Sequence, residues 1–315
     1  MAKIIFTFLL FFSCNCLASV PQDYTDFISA LKQELIKKGA SKSLVDKVYL
    51  QNFYKEKPAA IKADKQQSEF KLTTDQYLSK VINNAKIKKA KEKLKNNPKT
   101  LRNVYNKYGV QPEILVAFWG LESHFGQMKG NHYAFEVLTQ LAYDKRRRTF
   151  FKNQLYYLFK IAEKYKLNPQ KIKSSWAGAM GHFQFMPSTW YSYGKGDIVN
   201  SFFTSVHSAG NYLNKSGWQK NQTWGEETTL PANFNKKLIG RDKKKSIKEL
   251  KKLGIKTNLA DNLQASIITP DGENGKAYIT LKNFDVIMKW NRSQSYAISV
   301  GTFADSIKSK TPAKK

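Results

Sequence analysis

The sequence predicts a mainly α chain that carries one small β-containing insert. Apolar residues recur at helical spacing in segment after segment, usually closed by Gly or Pro. One run, residues 114–121, is apolar on nearly every side, as in a helix buried all round. Only between about 226 and 282 does the pattern change to short β-type runs around turn residues. At 315 residues the chain can bury a full core, and it contains no internal repeat.

In chain order, residues 1–18 place Lys3 before an apolar stretch and end in small or polar residues, Cys16-Leu17-Ala18. This is the build of a secretory signal, too short to span a bilayer. Both cysteines, Cys14 and Cys16, fall inside it, so cleavage after Ala18 leaves no thiol and no disulfide. Alternatively Cys14 closes a weak lipobox, with Phe11 where Leu is usual, and becomes a lipidated N-terminus. Phe27, Ile28, Leu31 and Leu35 then mark a helix over 24–36 closed by Gly39, and a second helix follows. Residues 51–67 are polar and aperiodic, which predicts a loop. Thr74 is expected to cap one long helix through Tyr77, Leu78, Val81 and Ile82 into the lysine-rich 86–95, broken by Asn96-Asn97-Pro98. A short helix over 101–108, closed by Gly109, leads into the apolar run.

Residues 133–143 are helical, and Arg146, Arg147 and Arg148 precede a helix rich in Phe and Leu. A further helix over 205–214 stops at Gly217. In the insert, residues 228–231 and the pair 265–270 and 276–281, around Asp271-Gly272-Glu273-Asn274-Gly275, read as strands, with a charged helix over 243–253 between them. Helices return with Phe284, Val286, Ile287 and Trp290, then over 296–307; the basic tail 308–315 is expected to be disordered.

Composition narrows the function. Fifty-three basic against 24 acidic residues give +29, which suits a polyanionic partner. An exported protein meets little nucleic acid, so an anionic wall polymer fits better; a simple lysine bias of the source explains the charge equally well. The four histidines, 124, 132, 182 and 207, form no H-E-x-x-H spacing, and neither a G-x-S-x-G nor a Walker loop is present. No metal and no cofactor are expected.

Glu122 is the unusual acid. It sits at the end of the buried run that Pro112 opens, where desolvation and the negative end of the helix dipole both disfavour its ionised form. A carboxylic acid kept protonated near neutral pH can protonate a leaving glycosidic oxygen. Equally, the side chain could leave the helix and meet solvent at Ser123. Some fifty residues on, Ala177-Gly178-Ala179-Met180-Gly181 signals close helix packing or a backbone that a ligand approaches. Gln184, Phe185 and Met186 beside it combine amide donors with an apolar wall.

Glu122-Ser123-x-Phe125-Gly126 followed by Ala177-Gly178-Ala179-Met180-Gly181-x-x-Gln184-Phe185-Met186-Pro187-Ser188 resembles the membrane-bound lytic murein transglycosylase B family. The likeness extends from Gln67-Ser68-Glu69-Phe70, through Tyr143-Asp144-Lys145-Arg146-Arg147, to Asn283-Phe284, Trp290-Asn291-Arg292-Ser293 and Tyr296. It implies a lysozyme-like α domain: a helical N-terminal and catalytic part over 19–225, the β-containing insert over 226–282, and helices over 283–307 that complete the cleft. The implied reaction is cleavage of the MurNAc-β-1,4-GlcNAc bond of peptidoglycan, leaving 1,6-anhydro-MurNAc ends, with Glu122 as the single acid and base. By the same resemblance, Arg146 or Arg147 holds a sugar or peptide carboxylate, Ser175 partners the Glu122 carboxyl, and Gln184 and Asn291 position the substrate. Tyr77, Phe185, Tyr212, Trp290 and Tyr296 form stacking or wall surfaces, with Trp290 replacing the usual Tyr.

The implied partner is the peptidoglycan strand, met by a monomer in the periplasm, with membrane contact only through a lipid on Cys14. Two rivals remain: a lysozyme-type hydrolase, which needs a second carboxylate and finds only Glu136 and Asp144 near either motif, and a non-catalytic murein-binding protein on the same fold. Relatives commonly carry an EF-hand-like loop after F-M-P-S. Here residues 191–197 are short, Asp197 is the one carboxylate between Pro187 and Tyr212, and Lys195 adds a positive charge, so no calcium site is expected.

Overall fold

A computed structural model describes residues 21–55, 58–65, 72–273 and 275–308. The signal segment, Cys14 and the motif Gln67-Ser68-Glu69-Phe70 lie outside the described residues, as does the tail beyond Lys308. The chain opens with α1 (Gln22–Lys37), α2 (Lys42–Val48), α3 (Ala59–Lys65), α4 (Thr74–Val81), α5 (Asn84–Asn96), α6 (Pro98–Tyr108) and α7 (Pro112–Ser123). The two-residue strand β1 (His132–Tyr133) precedes α8 (Ala134–Tyr143) and α9 (Arg148–Lys164), and pairs antiparallel with β2 (Lys173–Ser174). Then come α10 (Pro187–Tyr193), α11 (Phe202–Lys215), β3 (Gly225–Thr228), β4 (Lys245–Ser246), α12 (Ile247–Lys252), β5 (Gln264–Ile268), β6 (Ala277–Thr280), α13 (Lys282–Trp290) and α14 (Gln294–Ile307). The architecture is mainly helical, as the sequence predicts.

Several boundaries differ from the sequence reading, each for a local reason. The predicted loop over 51–67 contains α3, which starts after Pro58 and buries Ala60. The single long helix over 74–95 is two helices. Thr73, not Thr74, caps α4 through a capping box with Gln76, and Ile82 turns extended. The Asn83 side chain then accepts from Lys86 N–H (2.9 Å) and starts α5 afresh. In the insert the first strand ends at Thr228 rather than beginning there, and Ser246 caps a shorter charged helix after β4.

The helix α7 lies at the centre. Leu115, Val116, Ala117 and Phe118 have no exposed surface, and α5, α6, α11 and α14 surround it. Its Gly120 lets α14 approach, since a Cβ there would stand 2.8 Å from the rings of Phe125 and Phe303. On α14 Gly301 plays the same part toward Trp224. The four strands β3-β6-β5-β4 form an antiparallel sheet with its own small core, Phe234, Ile247, Leu250, Ile255, Ile267, Ile279 and Leu281. Ile268 and Tyr278 of the same sheet join the main core. At the β5–β6 turn the Asp271 carboxylate accepts from the N–H (2.9 Å) and hydroxyl (3.0 Å) of Thr74, whose hydroxyl also meets Ser295 Oγ at 3.0 Å. The hairpin tip thereby pins the starts of both α4 and α14.

Candidate active site

Glu122 occupies the last turn of α7. The helix stops there because His124 and Phe125 adopt left-handed backbone (φ 50° and 60°), and the fully buried Ser123 turns inward. Ser123 Oγ donates to His182 O (2.6 Å) and accepts from Gly126 N–H (3.0 Å), while Trp119 Nε1 donates to His182 Nδ1 (3.0 Å). Two side chains of α7 therefore fasten the loop 180–185 to the helix that carries Glu122. The loop closes on itself through Met180 and Phe185, whose N–H groups each donate to the other's carbonyl at 2.9 and 3.0 Å. Its glycines answer the ambiguity of the small-residue run. A Cβ on Gly178 would meet Leu138 at 2.4 Å and one on Gly181 the Ile198 carbonyl at 2.3 Å, so both permit close packing on protein.

The carboxylate does not leave for solvent at the helix end. Glu122 is half-buried, and its Oε1 accepts from Trp290 Nε1 at 3.0 Å and from the Tyr296 hydroxyl. Such donors favour the ionised form and so work against the desolvation and helix dipole that favour the acid. Glu122 also lines a cavity of about 630 Å³ together with Lys86, His124, Lys129, Ser175 and Gln184. Across it, Ser175 Oγ accepts from Ala179 N–H (3.1 Å), and Gln184 Nε2 donates to Gly181 O (3.0 Å) and Lys129 O (3.3 Å).

The other residues expected at the site divide clearly. Trp290 is half-buried amid Phe118, Phe185 and Tyr212, with ring centroids 4.6, 5.1 and 5.0 Å away, and Tyr212 donates to Lys289 O (2.9 Å). Asn291 caps α13 and accepts from Ser293 N–H (3.0 Å). Tyr77 packs from α4 against the main core. Two expectations need correction. Phe185 is only 3% exposed and packs on Trp290, so its ring offers little surface to a sugar. Tyr296 is 5% exposed, so its ring offers little stacking face, and its hydroxyl donates to Glu122. Arg146 and Arg147 lie in the turn between α8 and α9, where Arg147 stacks over Phe150 and Phe151 (4.8 and 4.9 Å); neither lines the cavity with Glu122.

Sequence reasoning missed Lys86, Lys129 and His124, and the hydrogen bond from Trp290. A polar residue one turn after a capping Asn was the available signal for Lys86. The two acids that a second-carboxylate mechanism would recruit are elsewhere. Glu136 pairs with Lys55 and accepts from Gln140 (3.1 Å), and Asp144 caps the Arg146 turn.

His182 is held neutral. Burial, then the charges of Lys129 and Lys93, bring its pKa down from 6.5 to about 4. Because the folded value lies below the unfolded one, this stabilisation is present above about pH 6.5 and is lost as the pH falls toward 4. Replacing His182 with Asn, which can still accept from Trp119, should thus narrow the melting difference between variant and native protein on going from pH 7 to pH 4, read by calorimetry.

In the loop after α10 the one carboxylate is engaged by its own turn. Asp197 Oδ1 accepts from the N–H groups of Val199 (2.9 Å) and Asn200 (3.2 Å), and its Oδ2 from Asn200 Nδ2 (2.7 Å). Trp190 Nε1 donates to Gly196 O at 2.9 Å. No group of three or more His, Cys, Asp or Glu suited to a metal occurs among the described residues. Thermal melts in excess Ca²⁺ and in chelator should coincide, and a calcium-dependent rise in Tm would reveal ligands recruited from other segments.

A helical domain with one half-buried glutamate at the end of a central helix, facing a cavity and held by aromatic donors, has clear relatives. The family model described as "Transglycosylase SLT domain" matches residues 23–305, and the chain belongs to that family. Membrane-bound lytic murein transglycosylase B of Escherichia coli (strain K12) is 32% identical over 212 residues, which cover 64% of this chain and 58% of that protein. SltB3 from Pseudomonas aeruginosa, solved in complex with NAG-anhNAM-pentapeptide, matches with a TM-score of 0.86 and 32% identity, covering 92% of this chain and 80% of that one. The Escherichia coli lytic transglycosylase Slt35, solved in complex with calcium, matches with a TM-score of 0.75 and 25% identity over 91% of this chain and 92% of that one.

Proposed function

We propose that the protein is a lytic murein transglycosylase, cleaving the MurNAc-β-1,4-GlcNAc bond of peptidoglycan strands without consuming water. The observation that carries this reading is that Glu122 is the one carboxylate lining the cavity among the described residues. A lysozyme-type hydrolase needs a second one as nucleophile or water-activating base. Glu122 first gives its proton to the glycosidic oxygen. With Trp290 and Tyr296 both donating to Oε1, that proton belongs on Oε2. The resulting carboxylate, stabilised by the same two donors, takes the proton from the muramoyl O6, which closes onto C1 and leaves a 1,6-anhydro ring. Ser175, Gln184 and Asn291 hold the sugars by hydrogen bonds, Tyr77, Tyr212 and Trp290 provide apolar surface, and Arg146 and Arg147 serve more distant parts of the strand. The insert over 226–282 acts in this reading as a clamp, through Asp271, on the helices that carry Tyr77 and Tyr296.

SltB3, at 32% identity, was solved with NAG-anhNAM-pentapeptide, the anhydro product this mechanism makes. Mass spectrometry of murein digested with the protein tests the reading. Anhydro ends, one water lighter than reducing muramic ends, are expected; reducing ends alone would overturn it. The site of action is the periplasm, after removal of residues 1–18 or with a lipid on Cys14. The mass of the mature N-terminus separates those two forms. Among the described residues no helix is long and apolar enough to cross a membrane.

A further inference from the structure

Of the lysines of α5, Lys88, Lys91 and Lys95 are exposed, two others cover aromatic rings, and Lys86 is the one that lines the cavity. Lys89 lies over the ring of Phe125 (5.7 Å) and Lys93 over that of Trp119 (5.3 Å). Across the cavity Lys129 Nζ donates to the Val199 carbonyl at 2.9 Å. Lys86 is half-buried at the start of the same helix and lines the cavity that holds Glu122, yet its ammonium forms no hydrogen bond, ion pair or ring contact among the described residues. Burial alone lowers its pKa, so part of its hydration is lost with no protein group in exchange. His124 beside it is held toward the neutral form by burial and then by the charges of Lys89 and Lys86, and offers a hydrogen bond rather than a charge. Among the described residues the cavity thus joins two lysines, from α5 and from the loop after α7, to one carboxylate that accepts from Trp290 and Tyr296.

A desolvated ammonium lining a cavity is matched by an anion brought in by the ligand. The hydroxyls and N-acetyl groups of the glycan carry no charge, whereas the peptide stem on each muramoyl residue ends in carboxylates. We propose that Lys86, assisted by Lys129, is a specificity-determining subsite for a stem-peptide carboxylate, so that the protein selects strands bearing acidic stems. This deepens the function proposed above and rests on it for the identity of the ligand. A free lactyl carboxylate, exposed when the stem has been removed, has the same chemistry but a different position.

Binding calorimetry on Glu122→Gln protein separates these sources and does not depend on turnover. The probes are the disaccharide pentapeptide, the same compound with its stem carboxylates amidated, and the peptide-free disaccharide with its lactyl carboxylate free. Adding Lys86→Met should weaken the first about ten-fold and the amidated compound by less than two-fold, while Lys86→Arg should restore most of the loss. Equal losses on the first two probes would mean that Lys86 acts through shape, and a loss confined to the peptide-free disaccharide would move the subsite to the lactyl group; either overturns the proposal. Should Lys86→Met fail to fold, a salt series on the Glu122→Gln protein decides it. Affinity for the pentapeptide compound must fall more steeply with ionic strength than affinity for its amidated form, and parallel slopes refute the subsite. Failure of the transglycosylase reading would show separately, as absence of anhydro ends from wild-type digests.

Discussion

Glu122→Gln is expected to fold and bind murein normally while losing turnover by about a thousand-fold or more, because an amide can neither give the first proton nor take the second. The substitution is close to isosteric. Trp290 Nε1 and the Tyr296 hydroxyl, which donate to Oε1 in the native protein, can still donate to an amide oxygen, so the aromatic cluster around Phe118 should hold its packing. The measurement pairs release of soluble muropeptides with sedimentation on insoluble murein and a thermal melt. Activity of more than a few per cent of native, with binding intact, would place the acid on another residue. Lost binding together with a lowered melt would instead show that Glu122 is structural.

The second large effect is on stability. Gly301→Ala should lower the stability of the fold by about 3 kcal/mol, a drop of roughly 6–12 °C in Tm for a chain of this size. A methyl group at this position would stand 2.2 to 2.4 Å from three atoms of the Trp224 indole. The ring has no easy retreat, since its Nε1 donates to Asp305 Oδ2 at 2.8 Å and it packs on Tyr278 and Phe284. Trp224 directly precedes β3, so the clash would push the sheet away from α14. A second change, Trp224→Leu, should recover part of the loss in the Gly301→Ala background, giving a non-additive pair. Coincident melts of Gly301→Ala and native protein would show that α14 and the sheet can separate at little cost.

What the sequence made legible is local. The apolar run of α7 and its Pro112 located the central helix, and Gly109 the end of the helix before it. The turn residues 271–275 located the hairpin between β5 and β6. The same local reading failed where two sites of one kind compete. Thr73 and Thr74 are both good caps, and only Thr73 has Gln76 three residues on to close the box, while Thr74 is drawn to Asp271, 197 residues away. The break at Ile82 was hidden because its residues continue a plausible helical spacing. The candidate site was legible in its centre, Glu122, through the character of the helix it ends. Its surroundings were not. Whether an aromatic residue faces a ligand or a neighbour depends on packing that no short window contains: Phe185 and Tyr296 are buried by elements far from them in sequence.

The donors that complete Glu122 stand 168 and 174 residues after it, on α13 and α14. During synthesis the glutamate emerges long before the two groups that donate to it. A nascent or truncated chain stopping short of Trp290 carries the carboxylate without these two donors. Under the proposed function, completion of the last two helices is therefore the event that arms the protein, a delay that would spare the wall of the cell that makes it.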